Sequence, residues 1–222
     1  MALNKLKYNS LNITPAANKA ISFDSDPDAL EATLEPGSMT FIKKLTASSD
    51  STLSFIDGSS NVVLDNTYKE YIFIFNNIHP SSDGDFFSFQ GNAAGGSGFN
   101  ETITSSSFRA YQNEAGDDTA LAYYGTNDFD LAQSTNFQVL GGGGVGADND
   151  QCLAGSLHLF NPSSTTFVKH FISRVNIISN SNYQLDGYQA GYFNTTSAID
   201  EIQFKMASGA IDSGTITLYG IN

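Results

Sequence analysis

AIDEIQFKMASGAIDSGTITLYGIN, residues 198–222, is the stretch that decides the fold. Apolar side chains alternate with polar ones from Ile199 to Met206, and the alternation returns between Thr215 and Ile221. A period of two is typical of a strand that buries one of its faces. A serine-glycine pair separates the two halves. The stretch therefore predicts two amphipathic strands joined by a turn.

The same alternation, with short aromatic runs, recurs from about residue 39 onward, whereas helical periodicity is nearly absent. The candidate strands are residues 39–45, 52–56, 70–76, 86–90, 107–112, 137–140, 151–160, 165–178, 187–193, 199–206 and 215–221. All 5 prolines fall outside these runs, where a missing N–H breaks no ladder. The pattern predicts an all-β fold, a β-sandwich of jelly-roll type with about eleven strands.

One candidate strand differs from the others because it is apolar on both faces. It contains the run YIFIF, residues 71–75. A strand that is buried on both faces has this composition. We therefore expect a central strand that is covered on each side.

Two glycine-rich stretches, residues 91–98 and 141–146, interrupt the candidate strands. Neither stretch carries the Lys-Ser/Thr of a phosphate-binding loop, and neither leads into a predicted helix. Their composition predicts flexible connectors.

The first 36 residues differ from the remainder of the chain. They contain three of the chain's 10 cations and three of its 5 prolines, and their strand signals are short. We expect an N-terminal arm over residues 1–36 and a sandwich over residues 37–222. The arm would either dock on another subunit or wrap an edge of its own domain, because an ordered arm needs a partner surface.

The composition limits the classes of partner. A formal net charge of -13 argues against duplex nucleic acid, whose phosphates require clustered Lys and Arg. No apolar run approaches the ~20 residues of a membrane helix, and the first residues lack the apolar segment of a signal peptide. We expect no membrane insertion and no export by the general secretory route. Cys152 is the single cysteine and is expected to be an inert, buried thiol.

One acidic segment has a spacing that resembles a calcium-binding loop. Asp24, Asp26, Asp28 and Glu35 stand at positions 1, 3, 5 and 12 of an EF-hand-like pattern, which would present oxygens to Ca²⁺. Ala29 occupies the position where the sharp turn requires glycine, and no flanking helices are predicted. The pattern favours a solvated acidic turn, so we expect no cofactor.

Catalytic motifs are weak in this sequence. Neither a His-x-x-His spacing nor a Gly-x-Ser-x-Gly elbow occurs, so we expect a protein that is not an enzyme. Tyrosine combines a flat apolar face with a hydroxyl and can recognise a ligand. The candidate ligand-binding residues of an exposed surface are Tyr123, Tyr124, Asp128, Tyr183 and Tyr188. Packing at a sandwich edge is the alternative role for each tyrosine.

Three stretches resemble a family of bacteriophage virion proteins, common in marine and cyanobacterial phages and described as tail-fibre-like or structural. They are GTITLYGI at 214–221, LDNTYKEYIFIFNNIHPSSDG at 64–84 and GYFNTTSAID at 191–200. The opening MALNKLKY, residues 1–8, is similar to the start of small stand-alone members. The resemblance implies a β-sandwich in a virion, and it carries over no catalytic residue.

We therefore expect a non-enzymatic virion structural protein that is made in the host cytoplasm and resembles a tail fibre or tail tip. Its expected partners are other virion proteins, further copies of itself with a trimer favoured, and a host surface glycan. A capsid decoration or cement protein is the first alternative. A carbohydrate-active enzyme that uses two loop carboxylates is the second.

Overall fold

A computed structural model describes residues 22–23, 30–31 and 38–221 of the chain. All regular elements in these ranges are strands. In chain order they are Ser22–Phe23 (β1), Leu30–Glu31 (β2), Met39–Thr46 (β3), Leu53–Ile56 (β4), Glu70–Pro80 (β5), Phe87–Ala93 (β6), Ile103–Asn113 (β7), Thr119–Tyr123 (β8), Gln138–Val139 (β9), Leu153–Phe160 (β10), Lys169–Ile178 (β11), Tyr183–Phe193 (β12), Ile199–Met206 (β13) and Ile211–Ile221 (β14). No helix capable of crossing a membrane occurs in the described ranges.

Two antiparallel sheets contain the strands from β3 to β14. The larger sheet has eight strands in the order β3-β14-β5-β10-β11-β12-β7-β8, and the smaller has four in the order β4-β13-β6-β9. The short strands β1 and β2 pair with each other. The all-β fold and the β-sandwich are confirmed. The jelly-roll connectivity and the boundary between an arm and a sandwich stay predictions.

The core between the two sheets is mostly aromatic. Phe204 of β13 lies at its centre, with ring centroids 5.3 Å from both Phe73 and Phe75 of β5 and 5.7 Å from Phe87 of β6. Most of these pairs meet edge to face, an arrangement that contributes roughly 0.5–1.5 kcal/mol per pair beyond area burial. The alternation that defined β13 in the sequence therefore places its apolar face in the core.

Strand β5 is central in the larger sheet, but only one of its faces is buried. Tyr71, Phe73 and Phe75 point into the core, whereas Ile72 and Ile74 lie on the opposite face and remain partly exposed. The prediction of a strand covered on each side is wrong for residues 38–221. Among residues 38–221, the smaller sheet covers one face of the larger sheet and leaves the other uncovered.

Buried glutamines attach the long segment between β8 and β10 to the sheets. The amide nitrogen of Gln90 donates to the carbonyl of Asn136 at 2.9 Å, and that of Gln138 donates to the carbonyl of Phe129 at 2.8 Å. Both glutamine side chains are fully buried. Because an unpaired buried amide is costly, these side chains fix the path of the segment.

Candidate binding groove and outward sheet face

A surface groove lies at the end of the larger sheet that β12, β7 and β8 form. Its volume is about 440 Å³. The turn before β12, the glycine run at 141–146 and the residues after β8 form its walls. The lining residues are Gly84, Phe86, Arg109, Tyr111, Asp118, Tyr124, Gly143, Gly144, Ser179, Asn180, Ser181, Tyr183 and Leu185.

The glycine run forms one wall because it packs directly on strands β12 and β7. A Cβ added at Gly187 of β12 would lie 2.0 Å from the carbonyl carbon of Gly141, and one added at Gly144 would lie 2.2 Å from the carbonyl oxygen of Gly84. The run from Gly141 to Gly143 is buried. The prediction of a flexible connector at 141–146 is therefore wrong, since these glycines allow two backbones to approach closely.

Arg109 is held at the base of the groove by aromatic rings. Its guanidinium carbon lies 3.7 Å from the centroid of Tyr124 and 5.3 Å from that of Tyr111. One of its Nη1 hydrogens is donated to the carbonyl of Gly142. A cation over an aromatic face is stabilised by roughly 0.5–2 kcal/mol, so these contacts hold the guanidinium in place before a ligand arrives.

Tyr183 and Asp118 form a second polar element of the groove. The Tyr183 hydroxyl donates to Oδ2 of Asp118 at 2.9 Å, and this hydrogen bond raises the pKa of Tyr183. Its ring meets that of Tyr111 edge to face at 5.8 Å. The tyrosine is therefore fixed as a neutral donor, and the carboxylate keeps further lone pairs for a ligand.

The groove combines aromatic surface, one cation and one carboxylate with amide and hydroxyl groups. Such a mixture suits a polar ring compound, whose apolar face packs on tyrosine while its hydroxyls meet hydrogen-bonding groups. Asp118 is the one carboxylate among the lining residues. Burial raises the pKa of the Cys152 thiol outside the groove, so its nucleophilic thiolate is disfavoured.

The predicted ligand-binding residues do not form one site. Tyr124 and Tyr183 line the groove. Tyr123 and Tyr188 lie on the opposite face of the larger sheet, where Tyr123 donates to Asp130 at 2.7 Å. Asp128 lies in an exposed turn and accepts a hydrogen bond from the Asn136 side chain at 3.1 Å. Tyr123 and Tyr124 are adjacent in the chain but lie on opposite faces of the sheet, because successive side chains along a strand point to opposite faces.

Sequence reasoning missed Arg109, Tyr111 and Asn180 as groove residues. Arg109 did carry a signal, because it is the single cation between residues 81 and 150. Asn180 carried none, since asparagine is common in turns.

The residues of the EF-hand-like spacing, Asp24, Asp26, Asp28 and Glu35, lie outside the described residues. Within the described part of the chain, no group of three or more His, Cys, Asp or Glu side chains has a metal-binding arrangement. Asp85, which precedes β6, is buried and accepts hydrogen bonds from the backbone N–H groups of Ser208 and Gly209. Its carboxylate therefore anchors the turn between β13 and β14.

The face of the larger sheet that points away from the core is a second candidate site. We call it the outward face and define it by two rows of directly paired residues. The first row is Tyr123, Phe108, Tyr188, Arg174, Ser156, Ile74, Thr217 and Lys44, and the second is Ser106, Ala190, Ile172, His158, Ile72, Tyr219 and Phe41. Directly paired residues share one face of a sheet.

The chain matches no known protein family, no curated protein and no solved structure.

Proposed function

We propose that the protein is a non-enzymatic bacteriophage virion component of the tail-fibre or tail-tip type. In this role it packs as a symmetric oligomer, with a trimer favoured, and contacts a host surface glycan. The phage-like sequence stretches at 64–84, 191–200 and 214–221 support the virion setting. The observation that carries the binding role is the preformed groove around Arg109, Tyr124 and Tyr183.

We infer that the sandwich has jelly-roll connectivity, as many virion proteins do. In a jelly roll the first strand pairs with the last, the second with the next to last, and so on inward. The pairs β3-β14, β4-β13, β5-β10 and β6-β9 follow this rule. The remaining strands of the larger sheet, β7-β8 and β11-β12, are then insertions that extend it. The groove lies on these insertions, away from the strands that would define the fold.

A saccharide is the ligand class that the groove chemistry favours. The tyrosines offer flat apolar surface for the C–H face of a sugar ring, while Asp118 and Asn180 offer hydrogen-bonding groups for hydroxyls. The lining residues lack a second carboxylate, which favours binding over cleavage.

Binding to purified surface polysaccharides and oligosaccharides of the host tests this proposal. We expect saturable binding by the full chain that Tyr183→Phe weakens about tenfold, because one hydroxyl and its carboxylate partner lose their arrangement. Tyr192→Phe, which changes a tyrosine of the same strand outside the groove, is the matched control and is expected to bind as the unaltered chain does. Binding that is equal in both variants would contradict a role for the groove. Release of reducing sugar would contradict a non-enzymatic role.

Locating the protein in intact virions by electron cryo-microscopy tests the virion setting. Density at the distal tail is the expected result. Density on the capsid lattice would favour the alternative of a decoration or cement protein. Purified virions that lack the chain altogether would overturn both roles.

A further inference from the structure

The outward face exposes large apolar side chains along its whole width. Leu121 beside the first row is 71% exposed, Tyr123 63%, Phe41 59%, Ile172 54% and Phe108 46%. They begin at the β8 edge and end at the β3 edge. Large apolar side chains that are exposed across a whole sheet face are typical of a site of association.

The apolar surface is ordered by contacts among its own side chains. The rings of Phe108 and Tyr188 stack with centroids 4.7 Å apart and planes 6° apart, and Phe41 meets Tyr219 edge to face at 6.0 Å. The exposed aromatic groups are therefore already restricted in their rotamers. A partner would lose little side-chain entropy from this face on binding.

The charges of the outward face differ from those of the whole chain. None of the residues in its two rows is acidic, and its cations are Lys44 and Arg174. The flanking acids make hydrogen bonds to residues of the face: Asp186 accepts from Arg174 at 2.8 and 3.2 Å, Glu70 contacts His158 at 2.6 Å, and Asp130 accepts from Tyr123 at 2.7 Å. A chain with a net charge of -13 repels another copy of itself least at such a face.

The dimensions are sufficient for a stable association. Eight strands at about 4.8 Å spacing give a width of roughly 38 Å, and strands of about nine residues give a length of roughly 30 Å. The whole side of the larger sheet that carries the two rows therefore covers roughly 1,100 Å², more than the ~800 Å² that each partner contributes to an interface of standard size.

The geometry points to a second copy of this chain as the occupant of the outward face. Burying this face would give β5 the cover on both sides that its sequence predicts. Phe108 faces outward and Arg109, the next residue of β7, faces the groove, so the association leaves the groove free. Each assembly would then present more than one groove, which raises the avidity for a repeating saccharide.

The inference rests on the self-association in the proposed function and assigns one surface through which two copies meet. The two can fail separately. A purified chain that associates through the outward face would support the inference even if virions lacked the protein, and a virion protein that associates through another surface would overturn the inference alone.

Ile172→Glu in the full chain tests the inference, because Ile172 lies near the middle of the second row. We expect light scattering and sedimentation equilibrium, from about 1 to 100 µM, to give a multiple of the chain mass for the unaltered protein and about a tenfold or greater weakening of association for the variant. The matched control is Phe167→Glu, since Phe167 is 69% exposed but lies outside both rows. This control is expected to associate as the unaltered chain does.

Circular dichroism and thermal unfolding test whether each variant is folded. If Ile172→Glu does not fold, Phe108→Glu in the first row replaces it. A monomeric unaltered chain at 100 µM would overturn the inference. Association that survives both substitutions, or that is lost equally in the Phe167→Glu control, would overturn it as well.

Discussion

Gln189 holds Gly141 by two hydrogen bonds at once. Its side-chain nitrogen donates to the Gly141 carbonyl at 2.6 Å, and its side-chain oxygen accepts from the Gly141 N–H at 3.1 Å. The same nitrogen also donates to the Ser107 hydroxyl at 3.0 Å. The backbone of Gly141 therefore bonds to a side chain of β12 in place of the backbone of a neighbouring strand. These hydrogen bonds position the glycine run, which forms one wall of the groove.

Replacing Gln189 by Leu keeps the side-chain volume and removes these hydrogen bonds. We expect the free energy of unfolding to fall by about 2–4 kcal/mol, because the N–H and carbonyl of Gly141 stay buried without a partner. Urea unfolding measures the change. The control is Gln112→Leu at an exposed position of β7, which should change stability by less than about 0.5 kcal/mol. An equal loss in the two variants would show that the amide pairing contributes nothing specific.

Gly187→Ala tests the close approach of the glycine run to β12. The new methyl group would lie 2.0 Å from the carbonyl carbon of Gly141, so one backbone must move. We expect a loss of about 3 kcal/mol in stability together with weakened saccharide binding. Gly95→Asn is the control, because Gly95 has no heavy atom within 4 Å of an added Cβ and Asn tolerates its φ of +77°. Unaltered thermal unfolding in Gly187→Ala would mean that the run does not pack on the strand.

Asp85→Ala removes the buried anchor of the turn between β13 and β14. The carboxylate accepts from the N–H groups of Phe86, Ser208 and Gly209 at 2.8 to 3.3 Å. Hydrogen bonds to a charged group contribute more than neutral ones, so we expect a loss of about 2–4 kcal/mol in chemical unfolding. Asp150→Ala removes a carboxylate from an exposed turn and should leave the unfolding midpoint unchanged within error. If both variants unfold at the same midpoint, the anchoring role is wrong.

Asp200 makes the stability of the sandwich depend on pH. Burial, with the nearby charges of Glu201 and Asp57, raises the pKa of Asp200 above its usual 3.8. The folded state therefore favours the protonated carboxyl, and the stabilisation is present below the unfolded pKa and lost as the pH rises through the folded pKa. We expect Asp200→Asn to have a higher melting temperature than the unaltered chain at pH 7 and the same melting temperature near pH 3.

Asp150→Asn removes the same unit of charge from an exposed site and controls for the net charge. A gain of equal size in both variants would assign the effect to net charge. A gain in Asp200→Asn that persists unchanged at pH 3 would contradict its dependence on ionisation.

The strands were predictable where one face is buried and the other is solvated. Strands β13 and β14 show this alternation, and their bounds differ from the prediction only at the start of β14. Strand β8, residues 119–123, was missed because each of its residues is exposed, so its sequence carries no alternation of polarity. Its place in the sheet comes from pairing with β7.

The groove was much less predictable than the strands. Tyr124 and Tyr183 were expected as binding residues, but their meeting around Arg109 depends on long-range pairing of β7 with β12. The glycine run illustrates the same limit. Its composition is that of a flexible linker, and only the small residue opposite it, Gly187, allows it to pack.

The strand order of the larger sheet has a mechanical consequence. Met39 and Ile221 are paired at one edge, whereas the groove lies among the strands near the other, across spacings of about 4.8 Å each. A pull between an attachment at Met39 and a ligand in the groove runs across the strands, along the axes of their hydrogen bonds. The ladders then bear the tension in series, and the weakest of them, rather than their sum, sets the force at which the domain opens.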